Sequence, residues 1–313
     1  MNDTLERRLI GGMLRTRMMI LGLVLATLPS VALGKVRSVD ETRDVSPTGT
    51  VEISTVSGTV TVSGWDKGQV SVKGSLDEDI TLEFTSSGNR TVVRVKYPES
   101  HFFGIHHDRV CDLQVKVPAG SELVATTVSA DLEVSDVKGD LELETVSGAL
   151  NARGTQGEVK AKSVSGEVKV LGASSRIHLE SVSGGVSLQG PGGDGEVSSV
   201  SGDVEIDGGS YRKLEVSTVS GNLVFSGEFA SGARCDLSSH SGSVELRLKD
   251  SVSAAFHVET FSGEITNELG GESHRKSKYA PGEEADFSVG SGDAQVEVSS
   301  FSGSVTIAKA GGK

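Results

Sequence analysis

Apolar residues along this chain fall in short alternating runs, and the runs recur with a regular punctuation. The punctuation is Val-Ser-Gly or a close variant. It stands at Val56-Ser57-Gly58, Val128-Ser129-Ala130, Val146-Ser147-Gly148, Val164-Ser165-Gly166, Val182-Ser183-Gly184, Val200-Ser201-Gly202, Val219-Ser220-Gly221, His240-Ser241-Gly242, Phe261-Ser262-Gly263 and Phe301-Ser302-Gly303. From residue 130 to 202 the period is 18 every time; it then becomes 19, 21 and 21, and a last interval of 40 equals two coils of about 20. Counted from the residue after the motif, positions two and four are apolar, as in Leu132/Val134, Val168/Val170 and Val204/Ile206. Position six is usually Gly, and positions eleven and thirteen are apolar again, as in Leu141/Leu143 and Ile177/Leu179.

Alternation of period two marks two short strands per repeat, each with one face inward. The parity changes between position thirteen and the Val at sixteen, which predicts a corner there and an inward Val. Gly at positions six and eighteen predicts two more corners, where a positive φ carries no Cβ penalty. The expected fold is therefore all-β, a parallel β-solenoid or β-helix of stacked 18- to 21-residue coils. Equivalent strands would pair in parallel about 4.8 Å apart. The pattern leaves the handedness open. Left-handed hexapeptide helices also use 18 residues per coil, but they need an aliphatic residue every six, which this chain lacks. On the outward positions, Glu142 should lie beside Lys160 and Glu144 beside Lys162, in favourable cross-strand pairs.

The N-terminal third is less regular. Thr59-Val60-Thr61-Val62 with Gly64 predicts one coil, and Ile80–Phe84 and Thr91–Val95 flank Ser86-Ser87-Gly88-Asn89 as a hairpin would. Leu113–Val117, followed by Pro118, is expected to enter the main stack. Residues 1–34 read as a signal peptide, 35–112 as an N-terminal coil, hairpin and cap, and 113–313 as solenoid repeats. The signal reading rests on Arg15 and Arg17 before the apolar run Met18–Ala26, then Ala32-Leu33-Gly34, whose small residues suit cleavage before Lys35. That run is too short to span a bilayer, and Pro29 interrupts it, so no membrane span is expected after cleavage.

Composition supports a turn-rich β chain, with 40 Gly, 6 Pro and 4% aromatic residues. The net charge is −13. Residues 1–34 carry two carboxylates and four arginines, so export would leave the chain more acidic still. An acidic surface argues against nucleic acid as a partner, because phosphate binding needs concentrated basic charge.

In order along the chain stand Val51-Glu52-Ile53 leading to Ser57-Gly58 and Trp65-Asp66, a strand ending in Tyr97-Pro98, and Val115-Lys116-Val117-Pro118-Ala119-Gly120. The Thr-Val-Ser-Gly ladder and Gly290-Ser291-Gly292 before Phe301-Ser302-Gly303 complete the series. From Val51 to Ile307 the chain resembles a bacterial domain family of unknown function that carries an adhesin label. The resemblance implies an exported β-solenoid in the periplasm or at the cell surface, and it transfers no functional residues.

No motif for catalysis accompanies the repeat. The motif serines lack a Gly-x-Ser-x-Gly elbow and read as a hydroxyl ladder at a corner. Gly190-Pro191-Gly192-Gly193-Asp194-Gly195 formally matches a dinucleotide fingerprint, but strand rather than helix follows it. His101, His106, His107 and Asp108 are the candidate metal ligands, three imidazoles and a carboxylate in one loop; their spacing matches no known site, and an exposed polar loop explains them equally. No cofactor is expected. The expected function is a structural or binding, adhesin-like module with an envelope or surface ligand; the alternative is a polysaccharide-processing enzyme on a β-helix scaffold. Cys111 and Cys235 share parity with inward neighbours and should be reduced, about six coils apart. The C-terminal coil, ending in Val305-Thr306-Ile307 with only a short tail behind it, is expected to leave an open strand edge suited to self-association.

Overall fold

The computed structural model describes residues 36–98, 110–172, 176–190, 192–275 and 281–311. The segment read as a signal peptide and the loop holding His101, His106, His107 and Asp108 lie outside the described residues. Among the described residues there are 23 strands in one continuous sheet system, with no helix long and apolar enough to cross a membrane.

The central coils stack as the 18-residue period requires. Leu141–Thr145 pairs in parallel with residues 123–127 on one side and with Val159–Ser163 on the other. The next steps carry Val159 onto Ile177 and Ile177 onto Gly195. The second side repeats this, with Leu132, Leu150, Val168, Val186 and Val204 each opposite the next. The apolar residues of both sides meet in a thin core whose members are at most 7% exposed. Outward charges follow the same register. Glu142 and Glu144 stand opposite Lys160 and Lys162. In the side-chain contacts, Lys162 reaches Glu180 at 3.0 Å and Lys160 turns to Glu158 of its own coil at 3.3 Å.

Two details of the coil differ from the sequence reading. The inward alternation does not break at the motif; it runs one residue further. The residue before each motif is buried in every coil: Thr55, Thr127, Thr145, Ser163, Ser181, Ser199, Thr218, Ser239, Thr260 and Ser300. A buried hydroxyl is costly unless it is hydrogen-bonded, and here it forms the corner itself. The Gly148 N–H donates to Thr145 Oγ1 at 3.1 Å, the Gly202 N–H to Ser199 Oγ at 3.0 Å and the Gly242 N–H to Ser239 Oγ at 2.8 Å. The chain turns there and the motif Val points outward, also after Ser163, whose hydroxyl has no hydrogen-bond partner, so the expectation of an inward Val is corrected. The motif serines are also outward; Ser147 donates to the Val128 carbonyl and to Ser129 Oγ.

The second difference concerns glycine. At position six the expected left-handed backbone is present at Gly154, with φ of 66°, and at Gly208, with 73°, but Gly227 has no positive φ. The motif glycines from Gly148 onward have no such φ. They are required by close approach, since a Cβ on Gly166 would overlap the carbonyl oxygen of Gly148, and one on Gly184 that of Gly166.

Both ends of the stack depart from chain order. At the N-terminal end the hairpin forms as expected, Thr81–Ser87 against Arg90–Lys96. Thr50–Trp65, however, lies between Glu122–Ser135 on one side and residues 90–94 and 112–118 on the other. Cys111–Pro118 thus belongs to the outermost coil, where Gln69–Asp77 pairs with it antiparallel and Val36–Asp44 adds to that strand in turn. This outer strand is exposed apart from Val39 and carries charges of both signs, which discourages further pairing.

At the C-terminal end, Ala294–Ser300 is held between residues 234–239 and Ala254–Thr260, and Val305–Lys309 between Val244–Leu248 and Ile265–Asn267. The last segment of the chain is therefore an interior coil. The open edge expected at Val305-Thr306-Ile307 does not exist, because both sides of that strand are paired. The 40-residue interval is not two coils either: Glu283–Val289 runs antiparallel on the outer side of Ala254–Thr260 and closes the stack. Coils with the same inward pattern are interchangeable neighbours, so repeat spacing cannot reveal such an insertion.

Cys111 and Cys235 are both free and buried, in coils far apart in the stack. Burial pushes the Cys235 thiol up to about 12. Neither should react with iodoacetamide at pH 8 in the native protein, and both should react after denaturation. Detection of an intramolecular bridge by non-reducing mass spectrometry would contradict the stacking order.

Candidate functional site

Because every corner places its Val outward, the motif builds a surface. Val56, Val128, Val146, Val164, Val182, Val200 and Val219 are each between 42% and 46% exposed. Successive coils join there by backbone bonds, from the Ser165 N–H to the Val146 carbonyl and from the Ser183 N–H to the Val164 carbonyl. The line continues through His240 to Phe301 and Phe261. These three rings stack face to face, with centroids 4.8 Å apart for His240–Phe301 and 4.6 Å for Phe301–Phe261. Phe261 is 57% exposed and ends the row. Among the described residues, nine of the eleven large exposed apolar side chains lie in this one stripe. Scattered surface apolar residues are ordinary, but a contiguous line of them is not.

A groove of about 440 Å³ runs beside the aromatic end, between the rings of His240, Phe261 and Phe301 and the hydroxyls of Ser238 and Ser299. Glu259 is the only carboxylate in its lining. Serines flank the rings because this outward row, charged in earlier coils at Glu144, Lys162 and Glu180, becomes Ser198, Ser217, Ser238 and Ser299 here.

The neighbouring outward row turns acidic towards the same end. Glu196, Glu215, Asp236 and Glu297 follow one another across the coils, and His257 and then Asp286 come next. Burial holds the Asp236 carboxyl above its ordinary range, helped by the Glu297 and Glu215 charges beside it. His257 Nδ1 lies 2.7 Å from Asp286 Oδ1. That hydrogen bond raises the imidazole pKa against the opposing effect of burial, with the Asp286, Glu284 and Glu259 charges adding to it. His257, Glu284 and Asp286 each offer one ligand atom within 4.8 Å of the others.

None of this was visible as a motif. His257 and Asp286 lie far apart in the chain and meet only because a return strand runs back along Ala254–Thr260. The aromatic stack was visible as substitutions in the motif at His240, Phe261 and Phe301, but an inward reading of that position hid its meaning.

Comparison with known proteins places the fold. No curated protein matches the sequence. Among solved structures, a candidate adhesin from Parabacteroides merdae is 8% identical over 88% of this chain and 97% of its own, with a TM-score of 0.47. A candidate adhesin from Bacteroides fragilis is 11% identical over 87% and 97%, with a TM-score of 0.42. One from Parabacteroides distasonis is 14% identical over 88% and 97%, with a TM-score of 0.40. These likenesses are too distant to speak for this chain's ligand. The model of one family, described as Toastrack DUF4097, matches residues 51–308. With nearly all of the stacked coils inside that match, the chain belongs to the Toastrack DUF4097 family.

Proposed function

We propose that this protein is a non-catalytic, adhesin-like binding module of the bacterial envelope, exported and presenting the apolar stripe and its aromatic end to a ligand. The observation that carries the reading is the unbroken line from Val56 to Phe261, nearly half exposed at each apolar rung and held on a rigid parallel ladder. The basic, apolar, small-residue order of residues 15–34 supports export. The enzymatic alternative has less support. Glycoside hydrolysis uses two carboxyl groups about 5–9.5 Å apart across a bound sugar, whereas Glu259 is the one carboxylate among the residues lining this groove.

The test compares the parent with F261S/F301S and with V164S/V182S/V200S for retention on bacterial envelope fractions. All these side chains are outward, so folding should be preserved, with Tm within a few degrees of the parent. Retention should fall at least tenfold for one of the two variants. Equal retention by all three proteins would remove the stripe as the binding surface, and release of oligosaccharides from purified envelope polysaccharide would overturn the non-catalytic reading.

A further inference from the structure

The cluster at the closed C-terminal end has a donor set that the proposed binding surface does not use. His257 and Asp286 are directly opposite in the antiparallel pair of Ala254–Thr260 with Glu283–Val289, and Glu284 is two residues along on the same outward face. The short strand His274–Arg275 pairs on the far side of Glu283–Val289 and sets His274 opposite Glu284. Directly opposite residues have Cβ atoms about 4.5–5.5 Å apart, so a second imidazole is in register with the third ligand. All four residues sit on strands, and their spacing is fixed by the ladder.

Glu259 faces Glu284 across the same pair, and Glu297 faces His257 from the inner neighbour, so further carboxylates border the donor set.

We infer that His257, Glu284 and Asp286, with His274 in register beside Glu284, form a binding site for a divalent transition metal ion such as zinc or manganese. The donor set selects the class. Imidazole with carboxylates suits zinc, manganese and their neighbours, whereas calcium and magnesium take oxygen ligands. Zinc binds these donors at about 2.0–2.2 Å, which places ligand atoms roughly 3.4 Å apart on a tetrahedral ion. The His257–Asp286 pair is closer than that, at 2.7 Å, and the Glu284 ligand atom lies within 4.8 Å of both. His257 and Asp286 are 42% and 65% exposed, so the ion is reachable from solvent and keeps open positions for water or an anionic group. An ion held there ties the return strand to Ala254–Thr260 and fastens the end of the stack. This inference does not depend on the stripe being the ligand surface.

The test uses the full chain carrying His101→Ala, His106→Ala and His107→Ala, which removes the other histidine cluster. After EDTA treatment and dialysis it is titrated calorimetrically with zinc, manganese, calcium and magnesium chlorides. One equivalent of zinc or manganese should bind with a micromolar or tighter Kd. Adding His257→Gln or Asp286→Asn should weaken binding at least tenfold while leaving circular dichroism and the metal-free Tm unchanged. Zinc should also slow amide exchange in residues 254–260 and 283–289, and cobalt should give visible bands that disappear in the His257→Gln variant. Absence of saturable transition-metal binding, binding indifferent to both substitutions, or preference for calcium would each overturn the inference.

Discussion

A chain ending at Val289 should lose two layers of structure rather than one. Removal of residues 290–313 takes away Ala294–Ser300 and Val305–Lys309, which lie between two other coils. Among the described residues, Ala254–Thr260 and Ile265–Asn267 pair with the rest of the stack only through those strands, with the Phe256–Phe229 ring contact beside them. The deletion therefore unseats everything from residue 254 to 289, and the edge of 234–248 is opened. Val296, Val298, Val305 and Ile307 leave the core, and Phe256, Val258 and Ile265 lose their cross-strand neighbours. At about 1.5–3 kcal/mol per fully buried aliphatic or aromatic side chain, the lost burial exceeds about 10 kcal/mol before the entropy of the released chain is counted. Hydrogen exchange should show protection gone from 254–289 and kept in 122–218, because solenoid coils depend only on their neighbours. Protection of 254–267 in the truncated protein would mean that this coil restacks directly on 234–248, and that the insertion is not required for its folding.

The second large effect is expected from one methyl group. Gly166→Ala places a Cβ against the carbonyl oxygen of Gly148, and both backbones are held in the corner by bonds to adjacent coils. Neither can withdraw without disturbing the rung beyond it. We expect a loss of at least about 3 kcal/mol, the upper range for overpacking a well-filled site, read as a Tm lower by roughly 6–12 °C. Gly88→Ala supplies the contrast. Gly88 has a φ of 60° and nothing near its missing Cβ, so only the conformational cost applies, about 1–2 kcal/mol. Equal effects at the two positions would show that backbone conformation, not close approach, accounts for glycine in the motif.

The central coils were legible because two independent periods agree there. An alternation of two gave the strands, and a spacing of 18 gave the neighbours, so pairs such as Leu141 with Val159 and Glu144 with Lys162 follow from counting. The corner was misread by one residue. Thr145 and its equivalents are polar, and a polar residue at an inward parity looked like the end of the strand. Its hydroxyl is buried because it accepts the Gly148 N–H, a bond between groups three residues apart that the hydrophobic pattern does not record. The family resemblance predicted the same class of fold, and the match over residues 51–308 agrees with it.

The candidate sites divide along the same line. The apolar stripe was present in the sequence as a repeated Val, and only its direction was missing. The His257, Glu284 and Asp286 cluster had no sequence signature, since it arises where a strand returns antiparallel beside one nearly thirty residues earlier. What the sequence alone determined is the coil: its length, its two strands, its glycine corners and its neighbours wherever repeats follow without interruption. These are local properties, set by side-chain parity and by the steric needs of single residues. What only the tertiary structure decided is the order of the coils at the two ends and which chemical groups meet there. The repeats are nearly equivalent as partners, so burial is satisfied by any order of stacking. The order adopted depends on long connections and on the antiparallel strands that close each end, which are non-local.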